Sequence, residues 1–598
     1  MGAIAAVFSP GRHVEAAVPR RMLAASPHRG AEAHVVSYGD TVLGIAIRPD
    51  DRDAWVAQRG PLLVGFVGTL DNAEELIKLY NIGVSFSARA HPADLVAALY
   101  LALGDSTPEV LRGAFACIVT DGTRFVAFRD HLGLGTLFYR EDAQGLFVAT
   151  EAKQVAIGAG ISLQPDLEVL ERMFYNLSSG DALSCALKGV HRLPKASILR
   201  AIPGKPTVVA RYWAPERLLE TARLSLDDIR ARFEELMDRA VTRAMAGTPV
   251  LSLSGGIDST AVAAFAAPAH LRLTGRPLPA ITQVFPDHPT VDERRYTEMV
   301  ADYLGITLHT YTSAVGHLDD LDHWVRLVDG PPLALLPEIA YQQRLVRRLG
   351  FRTVLTGEFG EFVYDMRTAL VTHLAAKKRY AALWRIFRTW PADGMLRAQL
   401  ARDVLAAFVP LPLAVAYRRL VRRRGNPMLP DWIDRRLGSR AFYHHHLNTP
   451  PGRLWSEAQL VAFTEPSIGM ESLEICGAFH GVRTRQPLAD VDLWEFFLSL
   501  PAEVKYPERL SKALVRSLLR GRLPDAVLAR RDKTVFDEFA VAKTDYTALR
   551  RWLLNGSYRM PGVDYARLQA QLDRQDFALR DVVWANDLAA IHAFVSLW

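Results

Sequence analysis

Hydrophobic positions in the first 150 residues form short segments separated by turns rich in Gly and Asp. The segments, in chain order, are AIAAVF, AHVVSY, TVLGIAI, LLVGFVGTL, AFACIVTDG, RFVAFRD, TLFYRED and GLFVATEA. Their length and the turns between them predict a largely antiparallel sheet structure. One helix is expected within it, from about Pro92 to Leu103.

Helical periodicity replaces this pattern after about residue 213. A long helix is expected from about Leu226 to Ala246. The strands VLSLS, AITQVF, TLHTYT and TVLTG then alternate with helices, and helices continue to the end. Such alternation predicts a parallel, doubly wound sheet that binds ligands at the carboxyl ends of its strands. We therefore predict two domains, residues 1–215 and 216–598.

Length and composition agree with a globular protein of more than one domain. The chain has 598 residues, of which 49% are hydrophobic and 23% charged, and a single core rarely grows to this size. Three scattered cysteines favour a reducing compartment without a structural zinc site. The sequence shows neither an export signal nor an apolar stretch that would span a bilayer, so we expect a cytoplasmic protein.

Basic residues are concentrated in residues 377–424, whereas the whole chain carries a net charge of +6. Arginines interleaved with Leu, Val and Tyr are typical of solvated helix faces. The alternative is a docking surface for an acidic partner or peptide. Nucleic acid is not an expected partner, because no recognised binding motif accompanies the charge.

A candidate phosphate site follows the strand VLSLS, where the chain reads SGGIDST and continues into an apolar helix. Glycines allow close approach of backbone N–H groups, and a helix N-terminus carries partial positive charge. An aspartate beside phosphate requires a divalent cation between them, as Mg²⁺ provides. The predicted ATP-binding residues of this loop are Leu253, Ser254, Gly255, Gly256, Asp258, Ser259 and Thr260.

The segment SGGIDST resembles the pyrophosphate-loop signature of the asparagine synthetase superfamily. Further similar blocks follow in order: FPDHPTVDERRYTEMVADYLGITLH, VLTGEFGEFVY, RQPLADVDLWEFFLSLP, SKALVR and LPDAVLARRDKTVF. The resemblance implies an adenine nucleotide alpha hydrolase-like sheet domain. It also implies ATP and Mg²⁺ as cofactors, and activation of a carboxylate by adenylation.

Metal ligands are implied at two positions by this resemblance. Asp258 aligns with a Mg²⁺-binding carboxylate, and Glu361 stands where the family has a second metal-binding Asp. The next family acid is replaced by Phe362 and a loop glycine by Phe359, which puts the metal geometry in doubt.

The same resemblance implies roles for four more residues. Glu358 aligns with the position near the attacking amine and is a candidate general base. Lys533 matches the lysine that steadies charge on the acyl-adenylate and pyrophosphate. Gly357 and Lys512 are the remaining candidates for contact with ATP.

The amino-terminal segment resembles the glutamine amidotransferase half of the family, an Ntn-hydrolase-like sandwich, but lacks its catalytic groups. The resemblance rests on the blocks HRGAEAHVV, FVGTLDNAEEL, LRGAFACIVTDG and FRDHLGLGTLFY. That chemistry needs an N-terminal cysteine, where this chain has Gly2. The oxyanion-hole pair Asn-Gly is replaced by Val67-Gly68, and a substrate-binding Asp is replaced near Pro92. We therefore expect no functional glutaminase.

Without an ammonia source, the attacking amine is expected to belong to the substrate. We favour a resemblance to the lasso peptide cyclases, which join a peptide's N-terminal amine to an Asp or Glu side chain. Two features support this interpretation. One is the altered Thr-Gly-Glu-Phe-Gly-Glu loop, and the other is the basic insert 366–450, which offers a surface to a large substrate. It implies a precursor core peptide as substrate, with a leader-peptide protease and a leader-binding protein as partners.

Three alternatives remain open. They are a β-lactam or related small-molecule cyclase, an ammonia-dependent asparagine synthetase, and a non-catalytic ATP-binding scaffold.

Overall fold

A computed structural model gives the architecture of the chain. It describes residues 2–48, 53–82, 91–175, 183–245, 247–361, 369–389, 394–423, 429–435, 437, 449–464, 468–507, 510–531, 534 and 536–598. Two residues named above, Lys533 and Phe362, lie outside the described residues.

The strands of the amino-terminal part alternate with short helices. The strands are β1 (Ala3–Phe8), β2 (Glu32–Tyr38), β3 (Thr41–Ile47), β4 (Ala54–Arg59), β5 (Leu62–Leu70), β6 (Gly113–Thr120), β7 (Phe125–Arg129), β8 (Phe138–Asp142), β9 (Gly145–Ala149), β10 (His191–Arg192), β11 (Ser197–Ala201) and β12 (Val208–Arg211). The helices are α1 (Ala17–Ala24), α2 (Ala73–Leu79), α3 (Pro92–Leu103), α4 (Thr107–Val110), α5 (Ala152–Gly158) and α6 (Leu167–Phe174).

These strands form a sandwich of two antiparallel sheets. One sheet has the order β10-β8-β9-β1-β3-β2 and the other β12-β11-β7-β6-β5-β4. Ile4 and Leu43 from the first sheet share a core with Leu63 and Phe125 from the second. Alternation of apolar residues along each strand produces this inner layer. The predicted sandwich is confirmed, as is the helix Pro92–Leu103.

The carboxyl-terminal part begins with a long helix and continues with alternating strands and helices. Its strands are β13 (Pro249–Ser252), β14 (Pro279–Gln283), β15 (Thr307–Tyr311), β16 (Thr353–Leu355) and β17 (Arg483–Arg485). Its first helices are α7 (Leu226–Ala244), α8 (Ile257–Thr274), α9 (Arg294–Leu304), α10 (Leu321–Val328) and α11 (Leu336–Arg348).

Helices account for most of the remaining chain. They are α12 (Leu370–Ala376), α13 (Tyr380–Thr389), α14 (Gly394–Ala406), α15 (Leu411–Arg423), α16 (Leu454–Thr464), α17 (Ile468–His480), α18 (Val491–Ser499), α19 (Ala502–Lys505), α20 (Ala513–Leu518), α21 (Asp525–Leu528), α22 (Asp537–Ala542), α23 (Tyr546–Leu554), α24 (Tyr565–Arg574) and α25 (Leu579–Leu597). No helix among the described residues has the length and apolarity needed to cross a membrane.

The carboxyl-terminal sheet is parallel, in the order β15-β14-β13-β16-β17. Val250 and Val354 pack against one set of helices, and Leu251 and Leu355 pack against another. The predicted doubly wound domain is therefore confirmed. The strand order reverses between β13 and β16, and ligands of such sheets bind where the order reverses.

Strand β17 is a correction to the expected helices after β16. It lies at the sheet edge beside β16, far along the chain from its partner. The prediction failed here because three residues rich in arginine show no strand periodicity.

Candidate active site

The phosphate loop lies at the carboxyl end of β13 and leads into α8. Gly256 is the N-cap residue of this helix and no side chain caps it. The first N–H groups of α8 therefore carry the helix's partial positive charge toward the loop. This arrangement suits an anionic ligand.

Ser254 and Ser259 fix the shape of the loop by bonding to each other. The Ser254 N–H donates to Ser259 Oγ at 3.0 Å, and the two Oγ atoms lie 2.9 Å apart. The Ser259 hydroxyl also donates to the Ser254 carbonyl at 3.0 Å. Both hydroxyls therefore stand at the turn where the sequence places phosphate.

Two of the residues predicted to bind ATP, Leu253 and Thr260, have buried side chains. The Thr260 side chain is fully buried and its hydroxyl donates to the Ile257 carbonyl at 3.1 Å. Leu253 is 2% exposed, and its N–H donates to the Ile281 carbonyl at 2.9 Å. Both side chains therefore support the loop from the core, and the role of Leu253 and Thr260 in ATP binding stays a prediction.

The loop after β16 lies directly against the phosphate loop. A β-carbon at Gly357 would lie 2.4 Å from the backbone nitrogen of Ser259, and one at Gly360 would lie 2.4 Å from Asp258 Oδ1. Only glycine permits this approach. The structure thus brings two sequence-predicted segments together, although about a hundred residues separate them along the chain.

Phe359 occupies a backbone conformation that favours glycine, with φ at +73°. By the family resemblance this position aligns with a glycine, a residue that adopts such a conformation without strain. Left-handed backbone costs a non-glycine residue about 1–2 kcal/mol. The ring of Phe359 packs edge to face on Trp494, with the centroids 5.8 Å apart, a contact that holds the loop in place.

The predicted metal ligands lie on these two facing loops. Asp258 forms an ion pair with Lys512, whose side chain is only 9% exposed. Glu361 is exposed at the end of the neighbouring loop. The described residues contain no group of three or more His, Cys, Asp or Glu side chains arranged to hold a metal, so the roles of Asp258 and Glu361 stay predictions.

A network that the sequence did not single out closes the other side of the phosphate loop. Glu293 accepts the N–H of Gly255 at 3.0 Å and the hydroxyl of Thr534 at 2.6 Å. It also pairs with Arg530 at 2.9 Å, and Arg530 donates to the Gly255 carbonyl at 2.9 Å. The Asp-Glu pair and the Arg-Arg pair in the family-like blocks are the sequence features that could have indicated this network.

Glu358 lies on the loop after β16 beside the end of β17. Its carboxylate accepts the amide N–H of Gln486 at 3.2 Å and the hydroxyl of Thr356 at 3.3 Å. Burial raises the pKa of Glu358, and the two hydrogen bonds oppose that rise. A carboxylate with a raised pKa is a stronger base when it is ionised.

At the amino-terminal site, Gly2 is enclosed by backbone. Its N–H donates to Asp53 Oδ1 at 2.7 Å. A β-carbon at this position would lie 2.6 Å from the Ala46 carbonyl oxygen and 2.8 Å from the Ala54 β-carbon. The nucleophile position of the related amidotransferases is thus packed tightly around glycine.

Ion pairs between the two domains fill the space next to Gly2 and Val67. Arg29 is buried and binds Glu151 of its own domain and Glu474 of the other, the latter at 2.9 Å. The cavity that remains is about 50 Å³ and is lined by Val67, Arg29 and Glu474 among others. Small-molecule pockets are typically about 300 Å³ or more.

The residues at the phosphate loop fit a nucleotide and Mg²⁺. The uncapped helix N-terminus and the glycine backbone suit phosphate oxygens, and Lys512 and Arg530 supply positive charge. Asp258 supplies the carboxylate oxygen that Mg²⁺ prefers. At the amino-terminal site, by contrast, Gly2 and Val67 stand where the family resemblance implies the thiol and the amide donor of glutamine hydrolysis.

Two family models match the chain. The model described as asparagine synthase matches residues 232–581, and that described as glutamine amidotransferase domain matches residues 1–213. The domain limits at 1–215 and 216–598 remain predictions.

Three relatives are similar in sequence. Amidase chry2 of Gibberella zeae is 27% identical over 44% of this chain and 41% of its own length. Asparagine synthetase [glutamine-hydrolyzing] 3 of Bacillus subtilis is 24% identical over 78% of this chain and 74% of its own. Carboxyethyl-arginine beta-lactam-synthase of Streptomyces clavuligerus is 28% identical over 37% of this chain and 40% of its own. The chain thus spans less than half the length of the first and third relatives.

Two solved structures share a weaker likeness. A glutamine phosphoribosylpyrophosphate amidotransferase from B. subtilis, in complex with ADP and GMP, is 14% identical, with a TM-score of 0.28 over 53% of this chain and 82% of that one. The allosteric regulatory enzyme of purine biosynthesis is 12% identical, with a TM-score of 0.27 over 52% and 80%. Because the asparagine synthase model covers more than half of the sequence, the chain belongs to the asparagine synthase family.

Proposed function

We propose that the protein is an ATP-dependent amide-forming enzyme whose attacking amine is part of its substrate. One observation carries the proposal. The chain keeps a phosphate loop with Glu358 beside it, whereas Gly2 stands where glutamine hydrolysis needs a nucleophile. A family member that makes no ammonia must obtain its amine elsewhere.

The chemistry that fits these residues has two steps. A carboxylate oxygen of the substrate attacks the α-phosphorus of ATP, and the bond from that phosphorus to pyrophosphate breaks. The substrate amine then attacks the activated acyl carbon, AMP departs with the bonding electron pair, and Glu358 takes the proton that the nitrogen loses. The substrate loses one water overall, and ATP becomes AMP and pyrophosphate.

Different residues of the chain are assigned to different parts of this reaction. The amide N–H groups at the start of α8, with Lys512, bind and orient phosphate oxygens. Mg²⁺, when bound, neutralises phosphate charge, and Asp258 and Glu361 are the residues that would hold it. Lys533 is proposed to stabilise the negative charge on the leaving group.

We further propose that the substrate is a precursor core peptide, whose N-terminal amine attacks an activated Asp or Glu side chain to close a macrolactam. The relative named for β-lactam synthesis also closes a ring, by its printed name, and supports a cyclase over an enzyme that uses free ammonia. Glu358 argues against a β-lactam synthetase, because the resemblance implies Tyr at the aligned position in those enzymes and Glu in asparagine synthetases. A leader-peptide protease and a leader-binding protein are the proposed partners.

The test uses the full chain with ATP, Mg²⁺ and a leaderless peptide that carries one Asp or Glu. We expect pyrophosphate release and a product lighter by one water, with a tandem mass spectrum that shows an isopeptide ring. Acetylation of the peptide's N-terminus should stop cyclisation but leave adenylation. Replacement of its acidic residue by the amide should stop both.

The other outcomes separate the alternatives. Asparagine formation from free aspartate and ammonia would overturn the cyclase. Ring closure of a small amino acid derivative, but of no peptide, would favour the β-lactam type. Binding of ATP without pyrophosphate release, for any of these substrates, would favour a non-catalytic scaffold.

A further inference from the structure

The segment from α13 to α15, including the turn after α14, presents large apolar side chains to solvent. Their exposed fractions lie between 57% and 69% for Tyr380, Trp384, Leu405, Phe408, Leu413, Tyr417 and Leu420. We call these seven residues the apolar patch. Single exposed apolar residues need no explanation, whereas large apolar residues that share the exposed face of a helix indicate an interaction surface.

The exposed residues follow helical spacing. Leu413, Tyr417 and Leu420 stand at positions i, i+4 and i+7 of α15, and so lie on one face of that helix. Tyr380 and Trp384 share a face of α13 in the same way. In an ordinary surface helix such a stripe faces the core, whereas here it faces solvent.

The helix α13 is nevertheless firmly attached through its opposite face. Leu383 and Ile386 are buried with Leu374 and Trp455 in a small core. Just before the helix, Arg379 pairs with Glu220 at 2.6 Å and with Glu503 at 2.7 Å. The exposed stripe on this helix is thus not the face that holds it to the protein.

Positive charge accompanies the apolar patch. Residues 377–424 contain twelve Lys or Arg and two Asp, whereas the whole chain has a net charge of only +6. The Arg388 guanidinium lies 4.9 Å from the ring centroid of Trp384. Aromatic residues and arginines next to protruding aliphatic ones are the composition of helices that lie in a membrane interface.

We propose that α13 to α15 bind peripherally to an anionic phospholipid surface. The apolar patch enters the boundary between headgroups and acyl chains, and the lysines and arginines bind the lipid phosphates. Two observations favour lipid over an acidic peptide. The side chains are more than half exposed, so they protrude instead of lining a groove, and a bilayer accepts protruding apolar groups that a charged peptide does not. This proposal does not rest on the reaction proposed above, and it assigns to lipid a segment that the sequence analysis offered to a large substrate.

Sedimentation of the full chain with vesicles tests the proposal. We expect binding to phosphatidylcholine vesicles that contain phosphatidylglycerol, weaker binding to phosphatidylcholine alone, and a decrease as salt rises because charges are screened. The triple variant Leu413→Ser, Tyr417→Ser, Leu420→Ser should bind at least about tenfold more weakly, because it loses three apolar side chains.

The matched control is the double variant Leu271→Ser, Leu273→Ser on α8. These leucines are 54% and 61% exposed and lie outside the apolar patch, so vesicle binding should not change. Melting temperatures within a few degrees of the parent protein would show that both variants fold. Absence of vesicle binding, equal binding to neutral and anionic vesicles, or full binding by the triple variant would each overturn the proposal, as would capture of an acidic protein without lipid binding.

Discussion

At the amino-terminal site, neighbouring atoms enclose Gly2 so tightly that an added β-carbon would lie 2.6 Å from the Ala46 carbonyl oxygen, whereas at the phosphate loop glycines bring two chain segments together. Both regions depend on glycine, with opposite results. At Gly2 the close packing leaves no space for a larger side chain unless neighbouring atoms move. At Gly357 it brings the loop of Glu358 against the loop of Asp258. The same residue type thus closes one site and builds the other.

The amino-terminal domain still contacts the second site through β17. Arg485 donates to Asp71 at 2.6 Å and to Thr69 at 2.7 Å. The next residue, Gln486, donates to Glu358 at 3.2 Å. The amino-terminal domain therefore helps to hold the strand next to the proposed base.

The largest effect is expected from Asp258→Ala, which removes the carboxylate at the phosphate loop. Pyrophosphate release should fall by about a thousandfold or more, because phosphate charge is no longer neutralised. The measurement is a pyrophosphate assay with ATP and the peptide. Asp238→Ala is the control, since it breaks a surface ion pair with Arg272. A loss of pyrophosphate release below tenfold in Asp258→Ala would contradict the proposed role of Asp258 in neutralising phosphate charge.

The second effect is expected from Gly357→Ala. Its β-carbon would meet the Ser259 backbone nitrogen at 2.4 Å, so the two loops must separate. Misplaced reacting groups lower rates by about a hundredfold, and kcat should show this loss. Gly469→Ala is the matched control, because nothing lies within 4 Å of its β-carbon. Equal activity of both variants would mean that the close approach is dispensable.

A smaller effect is expected from Gln486→Met, seen in the pH dependence. Burial raises the pKa of Glu358, and the base works only when ionised, so activity is lost as pH falls through this raised pKa. Removal of the Gln486 donor, which favours the ionised form, raises the pKa further. The acidic limb of kcat against pH should therefore move to higher pH.

The control for this shift is Gln342→Met. Gln342 donates to Ser252 and Tyr311 instead of Glu358. The acidic limb should stay in place in that variant. A limb that does not move in Gln486→Met, or that moves equally in both, would argue against Glu358 as the base.

The smallest effect on activity is expected from Gly2→Cys, which should release no glutamate from glutamine. Val67 still lacks the amide donor, and the cavity of about 50 Å³ leaves no room for the substrate. Overpacking typically costs about 1–3 kcal/mol, so the melting temperature should fall. Gly2→Ala separates this packing cost from the thiol. Glutamine hydrolysis by the cysteine variant would refute our account of the site.

The local pattern of hydrophobic residues was enough to predict much of the fold. The bounds of β1, β3, β5 and α3 agree with the segments read from hydrophobic spacing, since each is long and regular. Strands β4, β11 and β12 were missed because they are short or interrupted by polar residues. The tight turn and helix start of SGGIDST were predictable for the same local reason.

The sequence by itself determined the long, regular elements and the turn and helix start of the phosphate loop, because these depend on neighbouring residues alone. Tertiary structure decided which distant residues meet: Glu293 with Arg530, Asp258 with Lys512, and Gln486 with Glu358. It also decided that Thr260 faces the core. Such pairings arise from the order of strands in the sheet and from packing between domains, and no local spacing along the chain encodes them.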